Sequence, residues 1–594
     1  MLNPQNRLTV VACAVLVFIA MVVLVAHGLR RYTLPDMAHI SPQFNAASAM
    51  ENTRVLAEQY PDRVTGTPTA GQAAGYISSR FRQFGYRVST DFFSMWLAGQ
   101  RVEGQNVIAE LPGEVPETVA VIAHYDGQFT SHQSAEDNAS GVGALLELAR
   151  VLRAAPRDRG LIFVATDAEE WGMIGARSLR GFFESRQTVA VISIDYLTAG
   201  RATRLAIDCE GQKAGYTPLW LRETLKQSGI LQGVRVRGPS PLLEWLERSV
   251  EVSSQDQGPL LRVGIPAINV STVPADPASA RARYHTTQDV FQNFDPATFQ
   301  MTGATLEQAV SYLDGMKTSP AGEGRYLGLG GNKWLDRTTV EWLQTLGLLP
   351  FMVACVLAGL SFQEDHLPRI LWRYLRPGIY ALPLFAGLVA LHAVTSSGLL
   401  KRYELYPATP KDPFLYTVPL RVAAPLLGVL LAGYIIVGVL RRYIPSPPDE
   451  FAPSKRIFCV WMYVIVVGAL YLSPYGLWFF LGPLAYAFVL LRIPSSLSRR
   501  LVNAVLLLLA AAPLIGGLYF FGRQIFLGWR ILWYLVLQTA YGVWSTAAAM
   551  VFLLAIVIWF QIALVAVLGL PKGVRRAPQR RFLGEDEVAF VTES

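Results

Sequence analysis

Long apolar segments without charge dominate the sequence after residue 340, and they constrain its fold more than any other feature. Four of them suit one crossing each of a bilayer core about 30 Å thick: Trp342 to Gln363, Gly378 to Leu400, Val422 to Leu440 and Leu501 to Phe521. Two longer ones, Ile457 to Leu491 and Ile531 to Leu570, suit two crossings each. The segments predict an all-α transmembrane domain of about eight spans at residues 338–571, followed by a short polar tail at 572–594.

A further apolar run lies near the start of the chain. Leu8 to Leu29 contains no Asp, Glu, Lys or Arg and is flanked by Arg7 and by Arg30 and Arg31. A cleaved signal peptide is the alternative, but the run exceeds the usual apolar core of such a peptide and no small-x-small cleavage site follows. Residues 1–31 are therefore predicted to be a transmembrane signal anchor, which gives nine spans in a multi-pass protein of the lipid bilayer.

The distribution of positive charge gives a predicted orientation. With the N-terminus inside, the inner loops hold clusters such as Arg441 and Arg442, as the positive-inside rule requires. This arrangement places the region between the anchor and residue 320 on the non-cytoplasmic side. The basic tail at 572–581 conflicts with an odd number of spans, so an even number remains open.

Composition agrees with a membrane protein and excludes some other classes. Only 16% of the residues are charged, whereas soluble domains are about a quarter charged. The net charge of +8 is modest, and no basic patch interleaved with aromatic residues indicates binding to nucleic acid. The four cysteines offer no disulfide framework in the soluble region, so they leave the compartment open.

Residues 40–320 have the pattern of a soluble α/β domain. Four short runs rich in β-branched residues alternate with amphipathic segments: "VAVIAH" (119–124), "LIFVAT" (161–166), "AVISID" (190–195) and "AINV" (267–270). Buried strands that alternate with helices indicate a mixed, largely parallel sheet flanked by helices.

Acids and histidines follow these apolar runs. His124 ends the first run and Asp126 follows it, Glu169 and Glu170 come after the second, and Asp195 ends the third. The segment "EDNASG" (136–141) opens the helix after the first run, and His285 lies in "YHTTQD". In open α/β sheets, functional groups gather beyond the carboxyl ends of the strands. Imidazole and carboxylate ligands suit zinc, so the pattern predicts a metal site.

Each of these features also has a simpler interpretation. Asp137 could cap the helix that follows it, since Asp is a preferred N-cap residue. Glu169 and Glu170 could form a solvated first helical turn, which the helix dipole favours. Asp195 could be a turn residue, and His285 a surface histidine. The ordered set and its placement at strand ends favour the metal site over this joint coincidence.

Five blocks taken in order resemble the M28 zinc metallopeptidases: "AHYDG", "AEDNASGVGALLELAR", "ATDAEEWGMIGARSL", "ISIDYLTAG" and "RARYHTTQDVFQNFD". The resemblance covers about residues 45–315 and implies a zinc aminopeptidase-like fold. It implies that two zinc ions are bound, one by His124, Asp137 and Asp195 and the other by Asp137, Glu170 and His285. Asp126 would orient His124, and Glu169 would be the general base that acts on a water bridging the metals.

The reaction that the resemblance implies is hydrolysis of the N-terminal peptide bond of a peptide or protein with a free N-terminus. The segment 253–270 departs from the family pattern, with Gln257 where His is common, which bears on specificity. Tyr216 and Tyr284 are candidate oxyanion helpers that the sequence does not assign. An anchor, a peptidase domain and a multi-span region together resemble the endoplasmic-reticulum and vacuolar membrane metallopeptidases of this family.

Other functions stay open at this level. A related enzyme of the same fold, such as a carboxypeptidase or a glutaminyl cyclase, is one alternative. A non-catalytic peptide receptor or transporter is another, although no ligand position and no base is lost. The oligomeric state and the preferred side chain are not determined by the sequence. His392, Arg421 and Arg530 lie in or beside spans, where ionisable residues are functional candidates.

Overall fold

The structure is a computed structural model. It describes residues 4–360, with short gaps at 34, 98–99, 213–214, 251, 293 and 317–323. It also describes residues 496–531 except 525–526, and isolated positions between 424 and 567.

Among these residues, eight strands form one mixed sheet in the order β2-β3-β5-β4-β6-β9-β7-β8, and three form a small sheet in the order β1-β11-β10. The strands are β1 (Leu29–Arg31), β2 (Arg87–Leu97), β3 (Gln100–Leu111), β4 (Thr118–His124), β5 (Gly160–Thr166), β6 (Thr188–Ile194), β7 (Ala202–Asp208), β8 (Val236–Arg237), β9 (Ala267–Pro274), β10 (Tyr326–Gly330) and β11 (Lys333–Asp336).

The four central strands of the large sheet are the four apolar runs of the sequence. β5, β4, β6 and β9 are neighbours and pair in parallel. Every residue of β4 and of β5 is buried, as expected for parallel strands covered on both faces. The prediction of an α/β domain with a parallel core is confirmed.

Antiparallel pairs flank the parallel centre of the large sheet on both sides, which the sequence patterns did not indicate. β2 and β3 form a long hairpin whose register runs from Arg87 opposite Glu110 to Leu97 opposite Gln100. β3 then pairs antiparallel with β5, and β7 pairs antiparallel with β9. The sheet is therefore mixed, with its parallel part confined to the centre and to the short β7–β8 pair.

Helices pack on both faces of this sheet, and the described residues contain thirteen α-helices in all. They are α1 (Pro4–Gly28), α2 (Ala46–Gln59), α3 (Pro68–Gln83), α4 (Ser140–Leu152), α5 (Ile174–Ser178), α6 (Arg180–Ser185), α7 (Leu219–Leu231), α8 (Pro241–Val250), α9 (Gln257–Arg262), α10 (Pro277–Arg283), α11 (Pro296–Gly315), α12 (Arg337–Leu360) and α13 (Leu497–Gln524).

Side chains along the central strands point alternately to the two faces of the sheet, so the core has two layers. In β5, Leu161 and Phe163 join the cluster that contains α2, α4 and α11. Their neighbours Ile162 and Val164 join a second cluster, with Phe183 of α6 and residues of α9. Because successive side chains of a strand point to opposite faces, one uninterrupted apolar run supplies both layers.

Two helices of the described part are long and apolar enough to cross a membrane, by length and composition only. They are Leu8–Gly28 within α1, which the sequence predicts to be an anchor, and Leu497–Arg523 within α13. α1 packs along α12. The described residues therefore do not support a multi-spanning membrane subtype.

Most of the predicted spans fall outside the described residues. This holds for Gly378 to Leu400, for Ile457 to Leu491 apart from Tyr475, for most of Val422 to Leu440 and for nearly all of Ile531 to Leu570. His392 and Arg421 also lie outside them, as does the tail at 572–594. The eight-span domain at 338–571 stays a prediction.

One buried arginine ties the N-terminal helices to the loop that follows β4. Arg63 is only 1% exposed. Its guanidinium donates hydrogen bonds of 2.9–3.1 Å to the backbone carbonyl oxygens of Leu56, Tyr60, Tyr125, Gln133 and Ser134. Burial lowers the pKa of Arg63 to about 10, against the raising effect of Asp289 and Asp126.

Replacement of this side chain should destabilise the domain strongly. In Arg63→Met, five carbonyl groups lose this donor, three of them in fully buried hydrogen bonds, and each unsatisfied buried group costs about 1–3 kcal/mol. We expect a loss of at least about 3 kcal/mol in the free energy of unfolding, measured from urea denaturation midpoints. Arg180→Met, which breaks an exposed ion pair with Glu184, is the control and should leave the midpoint nearly unchanged. Equal midpoints for the two variants would contradict this role of Arg63.

Candidate metal centre and active site

His124, at the carboxyl end of β4, lies between two sets of carboxylates. Its Nδ1 is 3.2 Å from the backbone oxygen of Asp126 and 3.4 Å from the Oδ1 of that residue. Its Nε2 is 3.1 Å from Oδ1 of Asp137 and 3.3 Å from Oδ1 of Asp195. The contacts at Nδ1 orient the ring so that Nε2 faces the two other carboxylates.

Asp137 also contacts a second histidine. Nε2 of His285 is 2.9 Å from Oδ2 of Asp137 and 3.3 Å from Oε1 of Glu170. Two groups of side chains suited to hold a cation result: His124, Asp137 and Asp195, and Asp137, Glu170 and His285. The candidate ligand atoms within each group lie within 4.8 Å of one another. Asp137 is common to both.

Asp126 has a second role that sequence reasoning did not anticipate. Its Oδ1 accepts a hydrogen bond of 3.1 Å from the backbone N–H of Glu169, and its Oδ2 accepts one of 3.2 Å from that of Glu170. Asp126 is fully buried. One carboxylate therefore positions His124 and both glutamates.

The simpler interpretations do not fit the geometry. The N-cap of α4 is Ala139, and the side-chain bond to the start of that helix comes from Asn138, whose Oδ1 accepts from the N–H of Gly141. Glu169 and Glu170 are 5% and 2% exposed and lie in a turn before α5, so they are not a solvated helical turn.

Several residues of the site adopt left-handed backbone conformations. The φ angles are 59° at Ala168, 57° at Tyr196 and 54° at His285. Residues other than glycine avoid this region, and such conformations cluster at functional sites. Ala168 precedes the paired glutamates and Tyr196 follows Asp195, so these conformations direct the site residues toward one point.

The chemistry of this donor set fits divalent cations. Five buried carboxylates, those of Asp126, Asp137, Glu169, Glu170 and Asp195, face only two imidazoles, which leaves an excess of negative charge. Both carboxylate oxygens of Glu170 are buried, and neither accepts a hydrogen bond from any described residue. Buried charge of this kind is costly unless it is paired, and a cation held by imidazole and carboxylate ligands pairs it.

The surrounding carboxylates raise the pKa values of the two histidines. Burial alone lowers the pKa of His124, but Glu169 and the hydrogen bonds with the aspartates raise it well above its ordinary value. For His285, burial is likewise outweighed by Glu170 and Asp137, which raise its pKa to about 10. Hydrogen bonds from these two histidines lower the pKa of Asp137 in spite of its burial. The site thus favours positive charge next to Asp137.

The paired glutamates differ in their surroundings. Burial, with Asp195 and Glu170, raises the pKa of Glu169 well above its ordinary value, although His124 opposes the shift. Burial raises the pKa of Glu170 to about 7, and His285 opposes it. The carboxylate of Glu170 touches His285, whereas that of Glu169 makes no hydrogen bond or ion pair with another described residue. The two adjacent carboxylates therefore differ in their partners.

Two buried aspartates near the site escaped the sequence reasoning. Asp289 accepts hydrogen bonds from the backbone N–H groups of Glu136 and Asp137, at 2.6 Å and 3.3 Å. Burial and Glu136 raise its pKa to about 8. Asp256 accepts a hydrogen bond from Thr166 at the end of β5. Asp289 is in the quoted block "YHTTQD", so the motif contained it, but nothing in the sequence distinguished it from a surface acid.

The structure separates the two candidate tyrosines. Tyr284 stacks on the ring of His285, with 3.8 Å between the ring centroids, and lines the same cavity as Glu169. Tyr216 donates a hydrogen bond of 2.8 Å to Glu247 and is not among the residues that line this cavity. Only Tyr284 is therefore placed to act near the candidate metal site.

The site opens into a cavity of about 560 Å³. Asp137, Glu169 and Asp195 line it at the site. The end of β9, the helix α10 and residues of β7 and α8 form further walls. This volume is within the range of pockets that hold small ligands.

Comparison with known proteins agrees with this geometry. Residues 106–310 match the model of Peptidase family M28. The matched segment contains every candidate ligand and Glu169. The family resemblance read from the sequence is supported at this level.

Two curated relatives match parts of the M28-like domain. The alkaline phosphatase isozyme conversion protein of Escherichia coli (strain K12) is 35% identical over 178 residues, which cover 26% of this chain and 51% of that protein. Aminopeptidase YwaD of Bacillus subtilis (strain 168) is 25% identical over 200 residues, which cover 33% of this chain and 41% of that protein. The chain thus spans about half or less of the length of these relatives.

A solved structure also resembles the M28-like domain. BSAP, a zinc aminopeptidase from Bacillus subtilis, superposes with a TM-score of 0.40 and 17% identity, covering 47% of this chain and 98% of that chain.

Proposed function

We propose that this protein is a membrane-anchored metallopeptidase of the aminopeptidase type that works with two zinc ions. The observation that carries the proposal is the sharing of Asp137 by two candidate ligand groups beside a free, buried Glu169. The M28 match and the aminopeptidase relative support the peptidase class. A peptide or protein with a free N-terminus is the proposed substrate.

The proposed roles follow the contacts of each side chain. His124, Asp137 and Asp195 would hold one ion, and Asp137, Glu170 and His285 the other. Zinc bound there would lower the pKa of a coordinated water and polarise the peptide carbonyl. The carboxylate of Glu169 would take the proton from the attacking water and deliver it to the leaving amine. Asp126 would keep Nε2 of His124 directed at the site.

The raised pKa of Glu169 is compatible with a general base. Its shift arises from burial beside other carboxylates. Cations at the two ligand groups would favour the ionised form, because bound ions are the largest local charges in such a site. Glu169 could then accept a proton near neutral pH.

The proposal is tested on the full-length protein in detergent. Chelation should abolish hydrolysis of aminoacyl p-nitroanilides, and zinc should restore it, with two ions bound per chain at full activity. Peptides with an acetylated N-terminus should not be cleaved. Equal cleavage of acetylated and free peptides would contradict the aminopeptidase assignment, and release of ammonia from N-terminal glutamine with a single bound ion would indicate a cyclase instead.

Membrane anchoring is proposed from α1 and α13, with the peptidase domain on the non-cytoplasmic side. Both helices are long and apolar enough to span a bilayer. The protein should stay in the membrane fraction after alkaline carbonate extraction, and a tag in the α/β domain should resist protease added from the cytoplasmic side. Release by carbonate would contradict the anchoring, and cleavage of the tag would contradict the placement.

A further inference from the structure

The cavity that begins at the candidate metal site is partly walled by a helix from outside the M28-matched segment. Phe521 and Arg523, in the last turn of α13, line it together with Asp137, Glu169 and Asp195. α13 packs against α8, which contributes Leu243 and Glu247 to the same cavity. A candidate membrane helix therefore forms part of the space in which a substrate would lie.

Charge is unevenly distributed around this cavity. Arg237, Arg281 and Arg523 come from β8, α10 and α13, three separate elements, and all three are exposed. The carboxylates of the metal site at the other side are buried. The cavity thus combines a negative interior, where an ammonium group is favoured, with a positive rim, where an anion is favoured.

Two of the three other acids that line the cavity accept hydrogen bonds from neutral donors. Asp208 accepts hydrogen bonds from Asn269 and Ser271 at 3.0 Å and 3.3 Å. Glu247 accepts one from Tyr216. Arg523 makes no hydrogen bond or ion pair with the described residues of the chain. Its guanidinium is available to a ligand.

We propose that Arg523 is a specificity-determining residue that binds a carboxylate of the substrate on the C-terminal side of the scissile bond. The inference rests on the proposed aminopeptidase function. An N-terminal residue at the metal site leaves the remainder of the peptide to extend through the cavity toward its rim. A guanidinium pairs with a carboxylate through two parallel hydrogen bonds, which gives both affinity and direction.

The size of the cavity favours short peptides. Its volume of about 560 Å³ is that of a small-ligand pocket, and each extended residue adds about 3.3–3.6 Å of length. A peptide of two to four residues would bring its C-terminal carboxylate to the rim. In a longer peptide, the side chain of an Asp or Glu near the N-terminus would supply this carboxylate in place of the C-terminus.

The experiment compares matched substrates on the full-length protein and on Arg523→Ala. Leu-Gly-Gly is compared with Leu-Gly-Gly amide, Leu-Asp-Gly amide with Leu-Asn-Gly amide, and leucine p-nitroanilide reports activity without a carboxylate. We expect Arg523→Ala to lower kcat/KM for Leu-Gly-Gly by roughly 10- to 100-fold, mainly through KM, because a charge-assisted hydrogen bond is lost. Hydrolysis of the three substrates that lack a carboxylate, Leu-Gly-Gly amide, Leu-Asn-Gly amide and leucine p-nitroanilide, should stay unchanged.

Controls separate this role from simpler ones. Arg500→Ala, at the opposite end of α13, should change none of the ratios, and Arg523→Lys should restore part of the preference for the free acid. A change confined to the Asp and Asn pair would assign the carboxylate to a side chain instead of the C-terminus, within the same proposal.

Other results would overturn the inference. If Arg523→Ala alters all five substrates alike, or lowers the amount of protein recovered in the membrane fraction, the arginine serves the helix and not the substrate. The unmodified protein could hydrolyse leucine p-nitroanilide and yet cleave each carboxylate-bearing peptide no better than its matched neutral peptide. In that case only this inference fails. If it hydrolyses none of the five, the proposed function fails and this inference with it.

Discussion

Glu169→Gln should keep its metal and lose its turnover. The carboxamide has nearly the shape of the carboxylate but does not accept a proton at neutral pH. Glu169 belongs to neither of the two candidate ligand groups. We expect kcat for an aminoacyl p-nitroanilide to fall by about 10²- to 10⁴-fold, the range of general acid–base catalysis. KM and metal content, measured by mass spectrometry of the purified protein, should change little.

The control for this variant is Glu184→Gln. Glu184 is an exposed glutamate of α6 whose ion-pair partner is Arg180, which is not one of the candidate ligands. It should leave kcat unchanged. Undiminished turnover in Glu169→Gln would refute the assigned base, and loss of metal in the same variant would make Glu169 a ligand.

Glu170→Ala should give the opposite result and lose metal. The carboxylate of Glu170 lies 3.3 Å from His285 and within one of the two candidate groups. Loss of a residue that only supports a ligand typically weakens metal binding 10- to 100-fold, so removal of a ligand itself should weaken it by at least about 100-fold. Competition with a chromogenic chelator measures the change, and activity should fall with metal content.

Added zinc distinguishes the two variants further. High zinc should restore part of the activity of Glu170→Ala, because the remaining ligands are intact. It should not restore Glu169→Gln. Full metal content in Glu170→Ala at limiting zinc would contradict its role as a ligand.

Much of the candidate site could be predicted because it lies at the ends of parallel strands. β4, β5 and β6 are uninterrupted apolar runs, and parallel strands end at the same edge of a sheet. His124, Glu169 and Asp195 follow these runs directly or after a short turn. The sequence therefore indicated which side chains come together, although their roles came from the family resemblance.

Other features of the site could not be predicted because they depend on contacts between distant segments. Asp126 holds the backbone of the two glutamates from more than 40 residues away. Asp289 holds the backbone of Glu136 and Asp137 from about 150 residues away. No local pattern distinguishes a carboxylate that accepts such bonds from one that faces solvent.

The antiparallel edges of the sheet illustrate the same limit. β2 and β3 carry charged and polar residues at many positions, so neither is an uninterrupted apolar run like the central strands. Their pairing is decided by the hairpin and by the neighbouring β5. The position of α13 beside the cavity is a further case, since nothing near Arg523 in the sequence connects it to Glu169.

The amino-acid sequence by itself determined the apolar segments, the alternation of buried strands with helices and the set of acids and histidines at the strand ends, because these follow from local periodicity and chain order. Only the tertiary structure decided which nitrogen of each histidine faces the carboxylates, that Asp137 lies between both groups, and that Arg523 lines the cavity. These features depend on side-chain orientation and on packing between segments that are far apart in the chain. The energy of such a contact is set by burial and by the distance between the groups, and not by their spacing in the sequence.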